Sequence, residues 1–384
     1  MDRTRVAASR ACIEHRCLFN FAASYSDGGY KRLHAYARWF DGHGGAWFAI
    51  HPRCSGLMTE FPRNRYFVVA STRLARLYDD WRYLRPLTAA IGQPDLYYAY
   101  GIPLYRRVGR VNWFHLSNVL TLNTAGLPVA PLDRLKFHIL GRRIRRGLPL
   151  ADVISAESSH SLGLLAAGGT AHQCVSVNGS DDELGYMSDP GMAVRGDIAT
   201  VLGTYRYKAP QESWQVFRML KARNPNLKLM IIGNATALPA PLRRDADVIV
   251  RGNLGRSEVV DCLLRSKYYL SATHVENSYN AASEGIFLAD ESYISDIGPH
   301  RELISGSRFE RLSLPGVSVP LLHVKRADLS SAGLKAWNTV IADMLTTACH
   351  ALHRSRAAAE HSRSLAADSV TSLPRRLTPT GTGD

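Results

Sequence analysis

Short apolar runs alternate with longer amphipathic stretches along most of this 384-residue chain. In the first half, residues 17–24, 46–52, 66–71, 95–101, 111–116, 152–158 and 173–179 read as strands. They are brief, rich in β-branched and aromatic residues, and bounded by turn formers. Apolar positions three and four apart predict helices at 30–40, 73–91 and 132–146. The pattern stops at 181–196, a polar stretch with glycine and proline that reads as a linker. It then restarts, with strands at 197–205, 227–234, 247–253, 268–274, 292–297 and 319–324. Helices are predicted at 211–223, 257–265 and 279–288. Strand–helix alternation of this kind builds mostly parallel sheets with helices on both faces. The expected fold class is therefore α/β, with two Rossmann-like lobes, 1–180 and 197–330. Leu334, Trp337, Val340, Ile341 and Leu345 then stripe a C-terminal helix over 331–353. Residues 354–384 are expected to be a disordered tail.

Two doubly wound lobes leave a cleft, and ligands of such sheets bind beyond the carboxyl ends of the strands. The candidate chemistry lies there. His274-Val-Glu276-Asn-Ser278-Tyr279-Asn280-Ala-Ala-Ser283-Glu284 ends a strand and opens a helix, with two carboxylates eight positions apart. Free amides at a helix start suit a phosphate. Carboxylates suit sugar or ribose hydroxyls. Two solvated glutamates on a surface helix would give the same spacing.

Composition narrows the partners. A 46% hydrophobic content fills proper cores, and no apolar run is long enough to span a bilayer. The basic N-terminus has no apolar run behind it, so no signal peptide is read. The six cysteines form no C-x-x-C pair and read as reduced thiols of a cytoplasmic protein. Cys12, His15 and Cys17 lack the further ligand that a structural zinc site needs. The net charge of +14 attracts anions. With no nucleic-acid-binding signature, phosphorylated small molecules and an anionic membrane surface remain. The segment 131–146 combines Leu132, Leu135, Ile139 and Leu140 with six basic residues. It reads either as a membrane-touching face or as a solvated basic one.

The order of features resembles the retaining glycosyltransferases of family four, which have the GT-B fold and an E-x7-E motif. Glu276 and Glu284 have that spacing. VSVNGSDDE (175–183), VLGTYRYKAP (201–210), LKLMIIG (227–233), VIVRGNL (248–254) and SDIGPHRELI (295–304) fall in the family's order. The likeness covers about 175–305 and is looser over the first lobe. It implies transfer of a sugar from a nucleoside-diphosphate sugar to a saccharide acceptor, lipid-linked, in bacterial surface-polysaccharide assembly. The protein would work in the cytoplasm, peripheral to the inner face of the plasma membrane.

By the same resemblance Glu276, with Ser278, Tyr279 and Asn280, holds the donor sugar, and Glu284 holds the ribose. Gly203 and Asn253 line the donor site. Gly28 and Gly29 form an acceptor and phosphate loop. His115 is the first-lobe active-site histidine, for which a core histidine is the alternative. Lys208 and Arg206 supply the cations that a departing diphosphate needs, so no cofactor and no essential metal are expected. Two departures stand out. Asn-Ser-Tyr-Asn follows Glu276 where the family has a Gly-Phe-Gly-like run, and Thr204 rather than arginine follows Gly203. Asp245-Ala-Asp247 matches the D-x-D metal motif of another glycosyltransferase fold, but it precedes a strand beside Arg243 and Arg244 and reads as a solvated loop. A sugar-nucleotide epimerase or hydrolase of the same architecture, and a non-catalytic binder, are the competing functions.

Overall fold

The computed structural model describes residues 16–25, 27–69, 80–165, 171–188, 196–276 and 280–371. The first lobe contains β1 (Cys17–Phe21), α1 (Asp27–Asp41), β2 (Trp47–Ile50), α2 (Leu57–Glu60), β3 (Arg65–Val68) and α3 (Asp80–Ile91). It continues through β4 (Leu96–Tyr100), β5 (Val111–Leu116), α4 (Pro131–Gly147), β6 (Val153–Ala156), α5 (Ser159–Gly163) and β7 (His172–Val175). After α6 (Asp181–Ser188), the second lobe runs β8 (Gly196–Leu202), α7 (Pro210–Arg223), β9 (Lys228–Ile232), α8 (Ala240–Arg244), β10 (Val248–Arg251) and α9 (Arg256–Leu264). It ends with β11 (Ser266–Ser271), α10 (Asn280–Leu288), β12 (Glu291–Ser295), α11 (Gly298–Leu303), β13 (Glu310–Leu312) and β14 (Leu321–Lys325), before α12 (Trp337–Thr371).

Each lobe is built on a seven-stranded sheet, in the orders β3-β2-β1-β4-β5-β6-β7 and β10-β9-β8-β11-β12-β14-β13. The first sheet is parallel throughout, and the second is parallel up to β12. In both, the chain starts in the middle and winds outward in two directions. The order therefore reverses between β1 and β4, and between β8 and β11, and such switch points leave a crevice at the strands' carboxyl ends. Successive residues face opposite layers. Phe19, Phe48 and Tyr98 pack on one face of the first sheet, while Leu18, Ala49 and Tyr97 pack on the other. Two-sided burial explains why these strands read as continuous apolar runs.

Two expectations need correcting, and the structure adds one edge strand. The stretch 181–196 is not a patternless linker, because Asp181–Ser188 is helical. Asp181, Asp182 and Glu183 crowd its first turn, where the helix dipole favours acids. The helix packs on α10. The tail is not disordered from 354, since α12 continues to Thr371 through an alanine-rich sequence of high helix propensity. Finally, β13 carries only three residues and pairs antiparallel with β14 at the sheet edge, too brief to leave a periodic signal. The predicted helix start at 73–79 lies outside the described residues. The C-terminal helix returns to the first lobe. Ile341, Met344, Ala348 and Leu352 join the core of Phe19, Tyr36 and Trp113.

A candidate donor site at the second-lobe switch point

The chain leaves β8 through Gly203, whose φ of 89° lies in the left-handed region. A single 3-10 turn, Arg206–Lys208, follows, and Ala209 closes it at φ 48°, an uncommon value for a residue with a Cβ. Pro210 then opens α7. The turn is tied to the segment after β11, on the other side of the switch point. His274 N–H and Thr273 Oγ1 both donate to the Tyr207 carbonyl, at 2.9 and 3.1 Å. This pairing delivers Lys208 to Glu276, whose Oε1 accepts from the Lys208 ammonium. The two side chains retain 14% and 7% of their exposure, so a nearly desolvated charge pair stands at the mouth of the crevice. Glu276 Oε2 makes no hydrogen bond among the described residues.

The second glutamate is the hub of a larger charge cluster. Glu284 Oε1 accepts from the Arg256 guanidinium of α9 and, at 3.3 Å, from Lys31 Nζ of first-lobe α1. Lys31 also reaches Glu183 of α6 at 3.5 Å, and Arg256 also binds Asp182. Ser283 Oγ donates to Glu183 Oε1 at 3.0 Å. Burial pushes the Glu183 carboxyl above its ordinary range, and the Lys31 ammonium opposes that. One cation thus joins carboxylates of two other elements across the lobes. A buried pair stripped of one member is costly, so this cluster fixes the relative placement of α1, α6, α9 and α10.

The other expected residues separate. Arg206 is exposed, with no side-chain partner among the described residues. Asn253 is exposed in the bend after β10, three positions before Arg256. Asn280 is the first residue of α10. Ser278 and Tyr279 lie outside the described residues. Gly28 and Gly29 are not a loop: both belong to the first turn of α1. A Cβ on Gly29 would meet Ser24 Cβ at 3.0 Å and the Tyr100 ring at 3.3 Å, so that glycine serves helix packing. His115 is completely buried, which favours the core-histidine reading. Its ring stacks on Tyr100 at 5.0 Å, and Nδ1 bonds Ser155 Oγ at 2.8 Å. Burial and the nearby Arg32 guanidinium lower its pKa to about 4. Asp247 pairs with Lys221 and Lys228, and Asp245 accepts from Trp214 Nε1, so both acids are engaged in the protein's own contacts. Cys17 is a core residue of β1; Cys12 and His15 lie outside the described residues.

Sequence reasoning missed Lys31, Glu183 and Arg256. Each sits on a helix with ordinary surface spacing, and only the chain's return through two lobes brings them together. The acidic run 181–183 at a helix start was the one readable signal.

No protein-family profile matches the chain, and no curated protein sequence matches it. Solved structures do. Anabaena HepE in complex with UDP and glucose is 14% identical, covering 94% of this chain and 100% of its own, with a TM-score of 0.54. The same protein with UDP-glucose gives 14% identity, coverage of 93% and 99%, and a TM-score of 0.53. Sucrose-phosphate synthase from Thermosynechococcus elongatus gives 11%, coverage of 92% and 99%, and 0.52. At such identities the likeness is one of fold: two Rossmann-like lobes of the GT-B type.

Proposed function

We propose that this chain is a retaining glycosyltransferase. In this reading it moves a sugar from a uridine-diphosphate sugar to a lipid-linked saccharide acceptor in bacterial surface-polysaccharide assembly. The observation that carries the reading is the Lys208–Glu276 pair at the β8/β11 switch point, where a doubly wound sheet binds its ligand. The HepE structure of the same fold holds UDP-glucose, which supports the donor class. Retention of configuration rests on the resemblance to family four.

The roles follow from charge and hydrogen-bond capacity. As the glycosidic bond breaks, negative charge grows on the diphosphate, and the Lys208 ammonium stabilises it where little water competes. Glu276 fixes the ammonium through Oε1 and offers Oε2 to a hydroxyl of the transferred sugar. Glu284, anchored by Arg256 and Lys31 through Oε1, offers Oε2 to the ribose diol. Arg206 and the start of α10, Ser278 to Asn280, complete the phosphate side, with Gly203 and Asn253 at its edge. Fixed cations in these places make an essential metal unnecessary, so EDTA leaves turnover intact in this reading.

Membrane attachment belongs to the same proposal. Leu132, Leu135 and Ile139 are 83%, 57% and 36% exposed along one ridge of α4, flanked by Lys136, Arg142 and Arg146. Ile144 and Gly141 bury the opposite side. An exposed leucine ridge bordered by cations suits an anionic bilayer better than bulk water. Among the described residues no helix is long and apolar enough to cross a membrane.

The deciding experiment incubates the protein with UDP-, GDP- and ADP-sugars, with and without lipid-linked acceptor, and follows nucleotide release and the product's anomeric configuration. Acceptor-dependent release of UDP with retention is expected. Release without acceptor would make the protein a hydrolase or epimerase, and binding without release a non-catalytic binder.

A further inference from the structure

His300 follows β12 at the carboxyl edge of the second sheet, and none of the roles above uses it. It lies in α11, five positions after Ser295, and is completely buried. Its Nδ1 stands 2.8 Å from the Ser295 carbonyl oxygen. A carbonyl only accepts, so Nδ1 carries the proton. Burial keeps the ring neutral by lowering its pKa. Nε2 is then a bare acceptor, and it has no hydrogen-bond partner among the described residues. A buried acceptor left unpaired is destabilising, and a site that holds one gains when a ligand supplies a donor.

Two observations place this acceptor at the donor site. β11 and β12 pair in parallel, so Glu276, in the loop after β11, and His300, in the helix after β12, follow neighbouring strands at the same carboxyl edge. The residues flanking His300 form the seam with the first lobe. Glu302 accepts from the amides of Ser159 and His160, at 2.8 and 3.0 Å, and a Cβ on Gly298 would meet His160 Cβ at 3.0 Å. First-lobe α5 therefore contacts residues on both sequence sides of His300.

We propose that His300 is a specificity-determining residue of the donor site, its Nε2 accepting a hydrogen bond from a hydroxyl of the transferred sugar beside Glu276. The inference rests on the nucleotide-sugar reading above and adds to it the contact that distinguishes the sugar from the nucleotide. His300→Asn keeps an N–H near the Nδ1 position for the Ser295 carbonyl and removes Nε2. His300→Gln restores a polar group near the Nε2 position.

The test is calorimetric titration of wild type and both variants with UDP and with UDP-glucose. In His300→Asn, UDP-glucose affinity is expected to fall about three- to tenfold, the range of one hydrogen bond, with UDP affinity unchanged. His300→Gln is expected to recover part of the loss. Equal losses for both ligands, or no loss for either, would overturn the assignment of His300 while leaving the donor reading standing. If the wild type binds UDP but no UDP-sugar of the screen above, or binds neither, the donor reading itself fails and this inference goes with it.

Discussion

At the residue scale, the role proposed for Lys208 in turnover can be separated from the stability of its pair with Glu276. Lys208→Ala removes a charge that should meet the diphosphate only as bond cleavage proceeds. A loss of about 10²–10³ in kcat is expected. It also strands the Glu276 carboxylate, 7% exposed, without its cation, so the melting temperature falls as well. Adding Glu276→Gln should restore stability without restoring turnover; recovery of both would mean that the pair is only structural. His115 gives a pH signature. Its unfolded value of 6.5 drops to about 4 in the fold. Between those values the unfolded chain binds a proton that the native state refuses, so acidification lowers stability. The contribution is on the order of 3 kcal/mol when complete. Denaturation curves of wild type and His115→Asn should differ in slope over pH 6.5 to 4 and run parallel above it. Parallel curves throughout would mean that the histidine charges freely in the native protein.

At the element scale, α10 carries Glu284 and is held to β11 by the absence of a side chain. A Cβ on Gly285 would lie 2.4 Å from the Tyr269 ring, which is itself 1% exposed. Gly285→Ala must therefore lift the helix. Overpacking of this kind costs about 1–3 kcal/mol, and here it also draws Glu284 away from Arg256 and Lys31. Loss of UDP affinity together with thermal stability is expected. Gly141→Ala is the control. Its Cβ would strike the Thr121 carbonyl oxygen at 1.8 Å and displace α4 in the first lobe. Comparable destabilisation with unchanged UDP affinity should result. If both variants lose affinity equally, the nucleotide does not read the position of α10.

At the scale of the whole molecule, the charge of +14 is not spread evenly in its consequences. Asp247, Glu284 and Asp182 neutralise cations of the second lobe locally, whereas the ridge of α4 leaves its arginines beside exposed leucines. Flotation with vesicles of phosphatidylglycerol and phosphatidylcholine should recover the protein at low salt and progressively less as salt screens the surface. Leu132→Ser/Leu135→Ser should abolish flotation without changing UDP binding. Retention of flotation by that variant would assign the attraction to general basicity. The lobes themselves are joined by Lys31 to Glu183 and Glu284, by Glu302 to the amides of Ser159 and His160, and by α12, which returns from the second lobe to fill the first lobe's core.

The sequence by itself determined the two βα alternations, because strands buried on both faces must be apolar runs and their helices must carry a 3.6-residue stripe. It also determined the order of loops at the strand ends, and so placed Glu276, Glu284 and Lys208 near a crevice. Periodicity is a local property, and these features are local. Only the tertiary structure decided which of the charges meet. Lys31 and Glu284 are 253 positions apart, and no spacing rule links them. It likewise decided that Gly29 serves packing, that His115 is enclosed, and that Asp181–Ser188 is a helix rather than a linker. Each depends on what the rest of the chain lays against the residue. The end of α12 shows the same division: alanine propensity extends the helix, but the contacts of Ile341 and Leu352 with the first lobe determine where its first half lies.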